Sequence, residues 1–250
     1  MYLASIIESR KGALSPSKYS EYTEIKFGAI GSYMNSSQYP DTFTGGSGDY
    51  QNSVLDSVTD DISATTFGGF LCAGIRSRNF DTVIEFGFSS IINNLGIMGR
   101  IKFPVTDSFS LSTGCTFFTN MNDSEDVEYD YNDPVSFLRE MTAPTIGLTL
   151  EKPSLLFILD GSPVAFGAAD MFYTSSPSDT WTVSLYLQSL MGIYIRTRLD
   201  YYINARFGFS LDARYVYFYK MLDTTAEDAG IPVFEHHNTL FITISPVFRF

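Results

Sequence analysis

The chain has 250 residues and a formal charge of −12, from 28 Asp and Glu against 16 Lys and Arg. That balance argues against nucleic acid as a partner, because phosphate binding needs clustered Lys and Arg. Charged residues are only 18% and aromatic residues reach 16%, the former below the usual quarter of a soluble domain.

Mean hydropathy is +0.03. A helical membrane protein lies well above this, whereas a barrel that is polar inside and apolar outside averages near zero. The longest uncharged run of interest, Thr180 to Ile195, carries Thr182, Ser184, Gln188 and Ser189 and alternates. A spanning helix would need about 20 mostly apolar residues there.

Residues 1–23 read as a polar N-terminal segment, either disordered or a short periplasmic piece. Met1 to Tyr19 holds only the apolar patch Ile6-Ile7 before Glu8 and Arg10, which is not a secretory signal. An exported protein would then carry its signal peptide upstream of Met1. Residues 24–250 read as one all-β unit.

Ten segments alternate with period two, the signature of strands with one apolar and one polar face. Glu24 to Tyr33 places Ile25, Phe27, Ala29, Gly31 and Tyr33 on one side. Thr65 to Ser77 sets Phe67, Leu71, Ala73 and Ile75 against Thr66, Phe70, Gly74 and Arg76. Asp81 to Ile91 follows, then Leu95 to Val105, where Ile97, Ile101 and Phe103 oppose Met98, Arg100 and Lys102. Ser108 to Thr119 and Thr142 to Lys152 repeat the pattern. Leu155 to Tyr173 is ambiguous: it opens on a continuous apolar run and Asp160-Gly161 looks like a turn, so it reads either as a strand, a turn and a second strand or as one long bulged strand. Thr180 to Tyr201 and Asn204 to Tyr219 alternate cleanly, the second with Phe207, Phe209, Leu211, Tyr215 and Tyr217 against Arg206, Asp212 and Arg214. The last segment, Asn238 to Phe250, puts Leu240, Ile242, Ile244, Pro246, Phe248 and Phe250 on one face. Pro246 lacks an N–H, so a bulge or a missing hydrogen bond is expected there.

Short turns are expected near Arg78-Asn79, Thr106-Asp107, Lys152-Pro153 and Tyr202-Ile203, and longer or more polar links near 34–64, Asn93-Asn94, 120–141, 174–179 and 220–237. That end-to-end asymmetry, strand lengths beyond the usual five or six residues, and a terminal aromatic strand together resemble the small outer-membrane β-barrels of diderm bacteria. Tyr33, Tyr173, Trp181, Tyr215, Tyr217 and Tyr219 at the long-link ends match an aromatic girdle. The resemblance implies a closed antiparallel up-and-down transmembrane barrel of ten strands, with eight and twelve open. It also implies an outer-membrane location, contact with outer-membrane lipid, and a C-terminal assembly signal at Phe248 and Phe250 read by the barrel-assembly machinery. A soluble barrel or sandwich is the alternative, since alternation alone does not distinguish inside from outside.

In the barrel reading the polar faces line a lumen. The inward cluster comprises Arg76, Arg100, Lys102, Arg196, Arg198, Arg206, Asp212, Arg214 and Arg249. With Lys26, Glu85, Glu151 and Asp200 this makes nine basic against four acidic side chains. Two outcomes stand: a salt-bridge network that plugs the barrel, since small barrels fill their interior and buried charges must be paired, or an anion-favouring lumen.

Other chemistry is weakly encoded. Asp123, Glu125, Asp126, Glu128, Asp130 and Asp133 crowd one link, but the spacing matches no calcium loop. Gly45-Gly46-Ser47-Gly48 lacks the strand-to-helix setting of a phosphate cradle. Cys72 and Cys115 point to opposite faces, so no disulfide is expected. His236-His237 lies outside the predicted strands, and the ten-stranded outer-membrane proteases are similar only in carrying His and Asp in their loops. The expected function is therefore non-enzymatic, without cofactor or metal: a surface role through acidic loops that meet an extracellular ligand, or a narrow channel for a small solute.

Overall fold

The structure is a computed structural model that describes residues 21–39, 62–89, 93–120, 137–175, 182–221 and 233–250. Ten strands run in chain order: β1 Tyr22–Tyr39, β2 Ile62–Arg76, β3 Phe80–Ser89, β4 Asn93–Pro104, β5 Phe109–Asn120, β6 Phe137–Lys152, β7 Leu155–Ser175, β8 Thr182–Tyr202, β9 Phe207–Met221 and β10 Val233–Arg249. Every strand pairs antiparallel with its chain neighbours, and β1 pairs with β10, so the sheet closes into an up-and-down barrel. Closure leaves no free sheet edge, which is what allows strands to cross a lipid bilayer with every backbone group satisfied.

The four tight connections fall at residues 77–79, 105–108, 153–154 and 203–206, all at the end where both termini lie. Thr106 and Asn204 accept backbone N–H bonds from residues two and three positions on, at 2.9–3.3 Å. Short polar side chains that cap a turn in this way are why these two loops need no extra residues. At the same end Phe250 N–H donates to Thr23 O at 2.9 Å, and Thr23 N–H donates to Phe250 O at 3.2 Å. The last residue thus locks the first strand.

The structure decides between the two readings of Leu155 to Tyr173: it is one long, irregular strand, the 21-residue β7, and Asp160-Gly161 lies inside it and is not a turn. Its irregularity comes two residues later, where register shifts against both β6 and β8 surround Pro163. A proline offers no N–H to either neighbour, and the Ser162 hydroxyl fills in by donating to Val164 O at 2.7 Å. Asn204 and Arg206 belong to a turn and not to β9. His236 and His237 are strand residues of β10, and the His237 side chain is buried. At Pro246 the second of the two expected outcomes is found: the β1–β10 register is unchanged from Lys26↔Val247 to Ala29↔Ile244, so there is no bulge, and the ladder skips Phe27 and Gly28, opposite Pro246 and Ser245. Gly28 suits that spot, because a Cβ there would come within 2.2 Å of Ile244 O.

At the other end the strands run into the predicted long links: residues 34–39, 62–64, 93–94, 120, 137–141, 174–175, 220–221 and 233–237 are strand, because pairing with neighbouring strands carries the ladder past the alternating residues. The remainder of those links lies outside the described residues, as do residues 1–20 and Trp181.

Candidate functional site

Alternation decides which side chains enter the barrel. From β1 the inward residues are Glu24, Lys26, Ile30 and Ser32; from β8 they are Tyr202, Asp200, Arg198, Arg196, Tyr194 and Leu190. Ordinary globular burial is inverted here. Lys26, Arg76, Arg100, Arg196, Arg198, Asp200 and Asp212 are all at most 2% exposed, while Phe67, Ile146 and Ile244 on the outer wall are 78%, 67% and 61% exposed.

The inward charges form one connected chain of alternating sign. The Arg198 fork donates to Glu24 at 2.7 and 2.9 Å and to Asp200 at 2.9 and 2.5 Å. Glu24 also meets Arg76 at 3.1 Å. Arg76 lies 3.8 Å from Asp81, which further binds Arg100 at 2.5 Å and Lys102 at 2.8 Å. Arg100 continues to Asp160 at 3.0 Å, and Asp160 lies 3.9 Å from Arg196. Arg196 grips Asp212, which also accepts from Arg214 at 3.2 Å. Arg214 ends the chain on Glu85, through both guanidinium nitrogens at 2.8 and 2.6 Å.

Three of these contacts join strands that are not neighbours: β8 to β1, β4 to β7 and β9 to β3. They therefore run across the lumen, not along the wall. Arginine suits this task because its planar fork serves two carboxylates at once. Tyr202 and Ser210 complete the network by donating to Asp200 at 2.9 and 2.6 Å.

Below this layer, toward the short turns, Arg249 stacks between Tyr202 and Tyr22, 3.3 and 4.4 Å from the ring centres. Above it the lumen turns apolar. Phe70, Val83, Met98, Phe118, Met141, Leu190, Val216, Phe218 and Phe241 are all buried in one cluster, with Phe118 and Phe241 ring centres 5.3 Å apart. Salt bridges cross the barrel, and an apolar layer lies beside them on the side of the long connections.

The outer wall completes the picture. Aliphatic residues Leu199, Leu211 and Ile244 pair across β8, β9 and β10 in one exposed row. Phe209 and Tyr201 flank that row on the short-turn side, and Tyr215 and Tyr219 flank it on the other. An apolar band between two aromatic girdles is what a bilayer requires of a barrel, and a soluble barrel would have the faces reversed.

The fold is that of the small bacterial outer-membrane β-barrels.

No protein-family model matches the sequence, and no curated protein matches it significantly. Solved barrels of this kind are similar in outline. The outer-membrane protease OmpT of Escherichia coli shares 10% identity over 92% of this chain and 96% of that one, with a TM-score of 0.42. OprG of Pseudomonas aeruginosa shares 8% over 93% and 97%, with a TM-score of 0.41. Ail, the attachment invasion locus protein of Yersinia pestis, shares 11% over 92% and 99%, with a TM-score of 0.37.

Of the nine predicted lumenal residues, the structure brings Arg76, Arg100, Lys102, Arg196, Arg198, Asp212 and Arg214 into the network. Arg249 is buried beside it, 4.0 Å from Glu151. Arg206 is exposed on the last turn and takes no part. Phe248 and Phe250 lie on the outer face, Phe248 against Phe27 and Phe207 with ring centres 5.8 and 5.2 Å apart.

Three buried carboxylates were missed: Glu24, Asp81 and Asp160. Two of them were readable. Ile25 outward makes Glu24 inward, and Glu85 inward makes Asp81 inward, since residues two or four apart share a face. Asp160 was hidden by its apparent Asp-Gly turn. With these three added and Arg206 removed, the strand-borne set holds eight basic and seven acidic side chains. The expected basic surplus almost disappears.

Proposed function

We propose that the protein is an integral outer-membrane barrel with a closed lumen, which acts at the cell surface through its long acidic connections and performs no catalysis. The observation that carries this is the ion-pair chain crossing the lumen, Glu24–Arg198, Arg100–Asp160 and Glu85–Arg214, capped by the apolar cluster around Phe118 and Phe241. Ten strands lie close to the width that side chains fill. The near balance of lumenal charge removes the main support for an anion-selective pore. Phe248 and Phe250 serve in this reading as the signal for the assembly machinery.

The buried histidine gives no reason to assign hydrolysis. His237 sits against the Phe218 ring, with the Thr239 hydroxyl 3.0 Å away. The acidic link with Asp123, Glu125, Asp126 and Glu128 is the proposed contact for an extracellular partner, chosen on its charge and on its place at the outer end.

Two measurements test the reading. Purified protein in planar bilayers is expected to give no discrete current steps; steady steps that vanish when Arg196 or Arg214 becomes alanine would restore the channel. Replacing residues 120–140 by a short turn is expected to leave a folded, heat-resistant barrel that no longer binds its partner cells or molecules. Unchanged binding would remove that segment from the recognition surface.

A further inference from the structure

The apolar upper lumen is not filled to its floor. A cavity remains between Val83, Met98, Phe118, Met141, Val216 and Phe241. Its volume is about 20 Å³, room for about one water, and it is partly open toward solvent.

The floor of this recess is polar and incompletely used. Tyr194 lines the cavity, and its buried hydroxyl has no hydrogen-bond partner among the described residues. A buried, unpaired hydroxyl is costly, by about 1–3 kcal/mol, so its position calls for an acceptor. Beside it lies Arg214, whose side chain is 14% exposed against 2% or less for Arg76, Arg100, Arg196 and Arg198. Arg214 commits its Nε to Asp212 and one bond from each terminal nitrogen to Glu85. A guanidinium carries five N–H donors, so each terminal nitrogen keeps one to offer.

We propose that this recess binds a small amphipathic molecule, an apolar chain or ring ending in a carboxylate or similar acceptor. The acceptor meets the Tyr194 hydroxyl and the spare Arg214 donors, and the apolar part lies among Met98, Phe118, Met141 and Phe241. The enclosed space is too small for such a molecule as it stands. Met98 and Met141 are the side chains that make room, because thioether chains repack readily. The site goes beyond the surface reading and uses the ion-pair layer only as a floor; a ligand held there does not pass through the barrel.

The probe is hexanoate, titrated into the full chain in phosphatidylcholine nanodiscs, with the methionine methyl groups followed by NMR. Met98 and Met141 are expected to shift saturably, while Met191, on the outer wall, stays still. Tyr194→Phe, with an otherwise unchanged spectrum, is expected to weaken binding about five- to tenfold, the loss of roughly one net hydrogen bond. Val216→Phe, which fills the recess from another strand, is expected to abolish it. Shifts that grow linearly and include Met191 mean partition into lipid and overturn the site. Saturable binding that neither substitution alters overturns it as well. A conducting barrel that still passes the titration test would refute only the closed-lumen reading.

Discussion

Glu24→Ala is expected to destabilise the barrel by about 3–5 kcal/mol, the usual consequence of removing one partner from a buried ion pair. The reason is the position of Glu24 in the network. Its carboxylate is fully buried and holds two arginines, Arg198 at 2.7 Å and Arg76 at 3.1 Å, which are themselves at most 2% exposed. Deleting it leaves two cations where water does not reach. Arg198 retains Asp200, but Arg76 retains only the 3.8 Å contact with Asp81. Urea unfolding in phosphatidylcholine vesicles, followed by circular dichroism, measures the effect. Arg206→Ala is the matched control; its exposed turn position predicts a change within about 0.5 kcal/mol. Equal midpoints for the two variants would mean that the network contributes nothing to stability.

Ile244→Arg is expected to weaken the folded state in vesicles by about 2–4 kcal/mol, and Tyr219→Arg by only about 0–1 kcal/mol. Ile244 is 61% exposed on the outer wall and pairs with Ala29 and Leu211, in the row between the two aromatic girdles. An arginine there carries its charge into hydrocarbon. Tyr219 sits near the end of β9, where a charge reaches water. The pair separates a membrane wall from a soluble one, because on a soluble barrel both positions face water and both changes are nearly neutral. Two equally small effects would reject the transmembrane orientation. The measurement needs only the unfolding midpoints of the two variants beside the unaltered chain.

Strand existence was legible because a strand records its two environments directly in sequence. Phe209 and Leu211 against Ser210 and Asp212 needs no knowledge of any other strand. The same holds for the tight turns, whose short polar residues act locally. The open and the mistaken assignments share one cause. Asp160-Gly161 carries turn chemistry, yet β6 and β8 supply partners on both sides and hold it extended. Asn204 and Arg206 keep the parity of β9 but lie beyond the last paired residue. His237 was assigned to a loop because nothing nearby alternates strongly, and it is pairing with β1 and β9 that makes it strand.

The candidate site divides in the same way. The amino-acid sequence determined by itself that the chain is built of long strands with charged residues on one face and apolar residues on the other, since side-chain parity is a property of each strand alone; the count of ten, against eight or twelve, and the closure into a barrel came from the pairing of the strands. Only the tertiary structure decided what those charges do. Glu24 and Arg198 are 174 positions apart in the chain, and Glu85 and Arg214 are 129 apart. Their meeting depends on barrel closure and on strand register, which no local pattern encodes. Without that geometry nine basic residues left a salt-bridge network and an anion path both open; with it, carboxylates on facing strands pair with most of them across the lumen, with a small apolar recess above.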